Sequence, residues 1–202
     1  SGEKSFIVRP GYEPSNMSTN DKLWLNEHNK RRRQFHEDNG VPYGRLVWSN
    51  ELEDSARAWI PQITSTCSIS GNREPGLSPG ENIAVRSAGT NINVDESPVA
   101  IMQRWVDNKT DLGYPNNQSA TQALWAASRF VGCANSVTDM ADGRKCYVSI
   151  CRYAQAGNCD MGKWKDSTGN VDWEGAATSS RSRCGPTCPE KVVNGETVSV
   201  CY

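Results

Sequence analysis

Residues 129–153 read RFVGCANSVTDMADGRKCYVSICRY, and the way this stretch pairs decides the fold. Short aromatic and β-branched runs, Arg129 to Ala134 and Lys145 to Tyr153, flank the turn-rich MADGR at 140–144, which predicts a β-hairpin. Upstream the period is helical. Ser18-Thr19-Asn20-Asp21 sets a hydroxyl three residues before a carboxylate, the spacing of a capping box, and Leu25, His28, Arg32 and Phe35 recur at helical intervals as far as Gly40. A second helix opens at SNELED (49–54), with Leu52, Ala56, Trp59, Ile60 and Ile63 on one stripe. A third begins at Ser97-Pro98 and carries Val99, Met102, Trp105 and Val106 on one face. Helices first and strands last argue for an α+β domain, with helices packed on a small antiparallel sheet.

Past Gly157-Asn158 the composition changes. The run TGNVDWEGAATSSRSRCGPTCPEKVVNG (168–195) has almost no apolar periodicity, and four cysteines lie between 158 and 202. The expected organisation is a domain over 1–157, with an N-terminal extension to about residue 19, and a disulfide-rich extension over 158–202.

A chain of 202 residues, 36% hydrophobic with seven Trp, six Tyr and three Phe, is long enough to bury one core. Lys and Arg total 22 against 23 Asp and Glu, so no net field gathers phosphate backbones, and nucleic acid is not an expected partner. The longest apolar runs, such as SPVAIMQRW at 97–105, are far short of the roughly 20 residues a bilayer requires. No charged-then-apolar leader opens the chain, so the expectation is a mature, soluble form without a transmembrane segment.

Eight cysteines, an even number without paired CxxC knuckles, read as disulfides rather than as a zinc site. Three Asn-x-Ser/Thr patterns, at Asn16, Asn108 and Asn117, are acceptors for N-linked sugar. Together they predict a secreted glycoprotein. A glycan on Asn108 requires that side chain to face solvent.

The segments LNEHNKRRR (25–33), LVWSNELEDSARAW (46–59), GENIA (80–84), IMQRWVDN (101–108), TQALW (121–125), RFVGCA (129–134) and CYVSICRYAQAGN (146–158) occur in that order. The series resembles the CAP superfamily of pathogenesis-related class 1 proteins, cysteine-rich secretory proteins and venom-allergen-like proteins. The resemblance covers roughly residues 20–158 and implies a three-layer α/β/α sandwich. It further implies a cleft carrying two His and two Glu, which in many members binds a divalent metal. The matching positions here are His28, Glu81, Asn108 and Ser119, so two of the four ligands are replaced. An open zinc site takes about three protein ligands plus water. The remaining histidine, His36, lies about 12 Å further along the same helix and cannot close the site. No metal and no cofactor are expected.

The resemblance also implies an extracellular binding module for lipid, either sterol near the loop DLGYPNNQS (111–119), through Leu112 and Tyr114, or fatty acid between the first and fourth helices, through Trp24, Phe35 and Leu124. Arg31 or Arg32 is the candidate for a carboxylate head, although the run Lys30 to Arg33 reads as a solvated basic face. Two other classes stay open. His28, Glu81 and Ser119 are the parts of a hydrolase triad, but no GxSxG elbow accompanies them. A pure protein ligand for an extracellular receptor is the third. Within the resemblance, Cys133 pairs with Cys151 and Cys67 with Cys146. The tail cysteines pair among themselves, with Cys159–Cys184 and Cys188–Cys201 favoured among three connectivities.

Overall fold

Ser18 starts the first helix. Its hydroxyl accepts from the Asp21 backbone N–H at 3.1 Å, while the Asp21 carboxylate accepts from the Ser18 N–H at 2.8 Å, so two otherwise orphaned donors are satisfied reciprocally. From there α1 spans Thr19–Asp38. The structure is a computed structural model that describes residues 6–8, 16–75, 77, 79–179, 184, 190–193 and 195–201. The face of α1 turned inward is unusual in chemistry: Trp24, His28, Arg32 and His36, four residues apart, are all fully buried. Buried polar groups need partners, and those of His28, Arg32 and His36 find them and so organise the surroundings of α1, whereas the buried Trp24 indole N–H has no partner among the described residues.

The second helix, α2 (Asn50–Thr64), is capped by Ser49 and buries Leu52, Ala56, Ile60 and Ile63. The third, α3 (Pro98–Met102), is capped by Ser97 and runs on into a π-helical turn, Gln103–Asp107. Its buried face is Pro98, Ile101, Met102, Trp105 and Val106. Val99, expected on that face, is instead 44% exposed, because Pro98 and Ile101 turn inward and leave it at the solvent edge. A fourth helix, α4, covers Gln118–Leu124.

The hairpin at 129–153 is the centre of a four-stranded sheet. β4 (Phe130–Asp139) and β5 (Arg144–Ala154) pair antiparallel around Gly143, whose φ of +79° suits a residue without a side chain. β3 (Gly80–Gly89) adds antiparallel to β5, and the two-residue β2 (Val47–Trp48) pairs parallel to β4, giving the order β2-β4-β5-β3. Side chains alternate across it. Even-numbered residues of β5, Cys146, Val148, Ile150 and Arg152, face α2, where Ala56, Ile60 and Ile63 complete one cluster. Odd-numbered Cys151 and Tyr153 face the opposite layer of α1, α3 and α4, where the larger cluster sits. This is the α/β/α sandwich expected from the sequence.

The segment after 158 contributes to the core. A 3₁₀ turn at Met161–Trp164 and a short helix, α5 (Trp173–Thr178), place Met161, Trp173, Ala176, Ala177 and Cys184 in the larger core cluster. Further on, β6 (Glu190–Val193) and β7 (Glu196–Cys201) form a hairpin whose β7 pairs antiparallel with β1 (Phe6–Val8), joining the two ends of the chain in a second sheet. Disulfides join Cys67 to Cys146 and Cys133 to Cys151, the pairs the resemblance implies, and Cys159 to Cys184, the pair favoured among the tail connectivities. The Cys188–Cys201 pairing lies outside the described residues.

Candidate functional site

The two sheet faces separate residues that the sequence motifs place together. His28 sits on the α1 side. Its Nδ1–H donates to the Trp24 carbonyl at 2.8 Å, so Nε2 accepts from the Tyr153 hydroxyl, also at 2.8 Å. The Asn82 amide in turn donates to the Tyr153 oxygen at 3.2 Å and to the Ser119 carbonyl at 2.9 Å, linking α1, β5, β3 and α4. Complete burial lowers the His28 pKa to about 4, with Arg32 and Arg31 adding to the effect and the Trp24 carbonyl opposing it. Burial also pushes the Tyr153 phenol above its ordinary range. The imidazole is neutral, and both its nitrogens are engaged.

Glu81 lies on the other side. It is the cross-strand partner of Arg152, and both project toward α2. The Arg152 guanidinium, 1% exposed, donates to Glu81 at 3.2 and 3.3 Å, to Glu74 at 2.6 Å, to the Ser55 carbonyl at 2.9 Å and to the Ser55 hydroxyl. Burial raises the Glu81 pKa while Arg152 pulls it back. One residue decides this geography: Glu81 pairs with Arg152 and Asn82 with Cys151, so adjacent positions of GEN belong to opposite layers.

The expected four-residue set is therefore not assembled. His28 and Glu81 are on opposite faces of the sheet. Asn108, exposed at the end of the π turn, faces solvent. The Ser119 hydroxyl donates to the Trp105 carbonyl at 2.9 Å and makes no bond to His28. These donors do not fit a divalent metal, since the one imidazole lone pair among them is taken by Tyr153. Nor do His28, Glu81 and Ser119 form a triad. Among the described residues the tightest grouping of ligating atoms is His28 with Cys133 and Cys151, but both sulfurs are spent on a disulfide.

Of the acceptor asparagines, Asn16 and Asn108 are exposed, as a glycan needs. Asn117 is not. Its side chain is fully buried at the start of α4, so the amide that would carry a sugar is inaccessible in the folded chain, which corrects the expectation for that position.

The basic run on α1 is also split. Arg32 is fully buried, not solvated, and donates to four carbonyls, those of Gly44, Ala123, Trp125 and Ser128, at 2.9 to 3.1 Å. It cannot receive a ligand carboxylate. His36 works beside it, donating from Nε2 to the Leu124 carbonyl and accepting at Nδ1 from the Gly44 N–H.

Between α1, the π turn, α4 and α5 runs a groove of about 470 Å³. Phe35, Val106, Leu124 and Trp173 supply its apolar lining. Phe35 and Trp173 stack at 5.4 Å with an interplanar angle of 12°. Of the residues expected to hold lipid, Phe35 and Leu124 meet here, whereas Trp24 is sealed in the core against Trp105 and Leu112 and Tyr114 do not line it. Trp173 was invisible to periodicity because its helix is only six residues long; the signal was a lone tryptophan in a polar stretch, capped by Asp172.

A family profile described as the cysteine-rich secretory protein family, CAP, matches residues 25–153. The chain belongs to this family. Similar proteins include pathogenesis-related protein PRMS of Zea mays, 32% identical over 126 residues covering 58% of this chain and 70% of that protein. Cysteine-rich secretory protein 3 of Homo sapiens is 28% identical over 146 residues, covering 66% of this chain and 55% of that protein. The fold resembles that of venom allergen-like protein 4 from Schistosoma mansoni, with a TM-score of 0.50 at 17% identity over 70% of this chain and 92% of that one.

Proposed function

We propose that this CAP protein is a secreted, non-enzymatic binding module that carries an apolar ligand in the groove beside α1. The observation that supports the reading is the groove itself: it falls in the ordinary size range of small-ligand sites and is lined by Phe35, Val106, Leu124 and Trp173, contributed by four separate elements. An alkyl chain gains about 0.8 kcal/mol per buried methylene, so affinity needs no metal and no contact with His28 or Glu81. The hydrolase alternative loses its support, because its three groups are separated by the sheet or bonded elsewhere. Near the loop 111–119 only Leu112 stands out as exposed apolar surface, so an unbranched alkyl chain in the groove fits better than sterol at the loop.

The test is competition between a labelled long-chain alcohol and a labelled sterol at equal concentration, with mass analysis of apolar material released by organic extraction. Saturable binding of the alcohol that weakens in Phe35→Ala and persists in Glu81→Gln is the expected result. Absence of saturable binding of either lipid excludes the groove reading and leaves the receptor-ligand class.

A further inference from the structure

The apolar wall of the groove carries an acidic rim. Asp38, Asp107, Asp111 and Glu174 line it, and Arg31 is the one cationic side chain among the described residues that line it. Arg31 is already committed. Its Nε and Nη2 donate to the two Asp107 oxygens, each at 2.7 Å, and its Nη1 donates to Glu27 at 2.5 Å. Partial burial works against the charge of Arg31, but the bonds to Asp107 and Glu27 outweigh it. The fork geometry cancels Asp107 and leaves no guanidinium edge for an incoming carboxylate. Asp38, Asp111 and Glu174 are then exposed carboxylates for which no other lining residue among the described ones supplies a cation.

We infer that the ligand of this groove is an organic cation, an amine or quaternary ammonium on an apolar body, held with that body against Phe35 and Trp173 and its head among Asp38, Asp111 and Glu174. This rests on the reading of the groove as an apolar-ligand site and specifies the head group it accepts. The argument is charge complementarity. A carboxylate head meets three carboxylates and an Arg31 that has no donor to spare, whereas an ammonium meets three acceptors. Each exposed pair contributes little alone, but three acting on one head amount to roughly a tenfold preference over an uncharged analogue. Two of the features, Trp173 and Glu174, come from α5, so the segment beyond 158 sets the specificity of a groove otherwise built from the family fold.

The experiment uses the full-length chain and three probes with one tail: dodecyltrimethylammonium, dodecanol and dodecanoate, each titrated below its micellar concentration and followed by tryptophan fluorescence and calorimetry. The cation should bind roughly tenfold more tightly than the alcohol, and the carboxylate more weakly than both. Raising salt to about 0.5 M should erase the difference. The double substitution Asp111→Asn with Glu174→Gln, both at exposed positions, should bring the cation down to the alcohol while leaving the alcohol unchanged. Alcohol bound with no preference for the cation, or a cation affinity untouched by the double substitution, overturns the head-group assignment and spares the groove. If none of the three probes binds saturably, the groove reading itself falls, and the inference with it.

Discussion

At the scale of single residues, both histidines serve structure, and each holds one defined tautomer. His28 keeps its proton on Nδ1 and His36 on Nε2, because a carbonyl faces the donor in each case and a hydroxyl or N–H faces the acceptor. A pH dependence of stability follows. The unfolded chain protonates His28 near pH 6.5 and the folded chain only near pH 4, so between those values the unfolded state binds more protons and stability falls as pH falls. His36, whose pKa is lowered by burial and by Arg32, adds in the same direction. The loss from His28 alone should amount to about 3 kcal/mol on going from pH 7 to pH 4. Urea unfolding between pH 6.5 and 5, above the range where most carboxylates titrate, should show this slope, and His28→Gln should be less stable at pH 7 with a flatter profile. An unchanged slope in that variant would reject the assignment. The buried guanidinium of Arg152 makes a second case. Arg152→Met removes the buried guanidinium that Glu81 and Glu74 share and should cost roughly 3–5 kcal/mol, with Glu81→Leu in that background recovering part of it. Sequence motifs pointed to His28 and Glu81 but could not place them, since no motif states which face of a strand a side chain leaves from.

At the scale of elements, caps and turns carried most of what the sequence disclosed. Ser18, Ser49 and Ser97 open three helices where their spacing predicts, and Gly143 turns the hairpin. What stayed hidden depended on partners far away in sequence. β2 is two residues long and pairs parallel to β4 across more than eighty residues, so neither its length nor its alternation marks it. GENIAVRSAG has mixed burial on both faces and reads as a strand only once β5 lies beside it. Gly132 shows how closely these layers meet. A Cβ there would stand 2.2 Å from the Glu53 backbone nitrogen, 2.5 Å from the Ser49 carbonyl oxygen and 2.7 Å from the Leu52 carbonyl carbon. All three are backbone atoms of the first turn of α2, which cannot yield by a rotamer change. Gly132→Ala should therefore lift α2 from the sheet and destabilise the protein by about 1–3 kcal/mol or more, read as a lowered denaturant midpoint. Gly80→Ala, whose nearest neighbour is the Gln122 side chain, should cost less. Equal effects at the two glycines would contradict the claim that backbone contact sets the cost.

At the scale of the whole molecule, residues beyond 157 pack into the same core as those before it. The family match ends at residue 153, yet Met161, Trp173, Ala176, Ala177 and Cys184 belong to the same cluster as Trp24, Leu46 and Trp125. Ala126 N–H donates to the Ala177 carbonyl at 2.7 Å, and Cys159–Cys184 fastens the segment. A short helix with polar flanks cannot advertise this from sequence, because its apolar residues have no period of their own and act only against a surface made elsewhere. A chain ending at Gly157 should consequently be a damaged domain rather than a minimal one. Loss of buried Trp173 alone corresponds to roughly 3–5 kcal/mol, and removal of the alanines and Met161 exposes the flank of Phe35 and Leu124 as well. That sum approaches the total stability of a typical domain. The truncated chain should show a much lower melting temperature or no cooperative transition, and it should bind more of a hydrophobic dye than the full chain does. A point variant separates packing from chain length: Trp173→Ala in the full chain should lower stability by most of the tryptophan term while all disulfides still form. If the 1–157 chain instead melts cooperatively within a few degrees of the full chain, the segment after 158 is an appendage after all, and α5 has no part in the core.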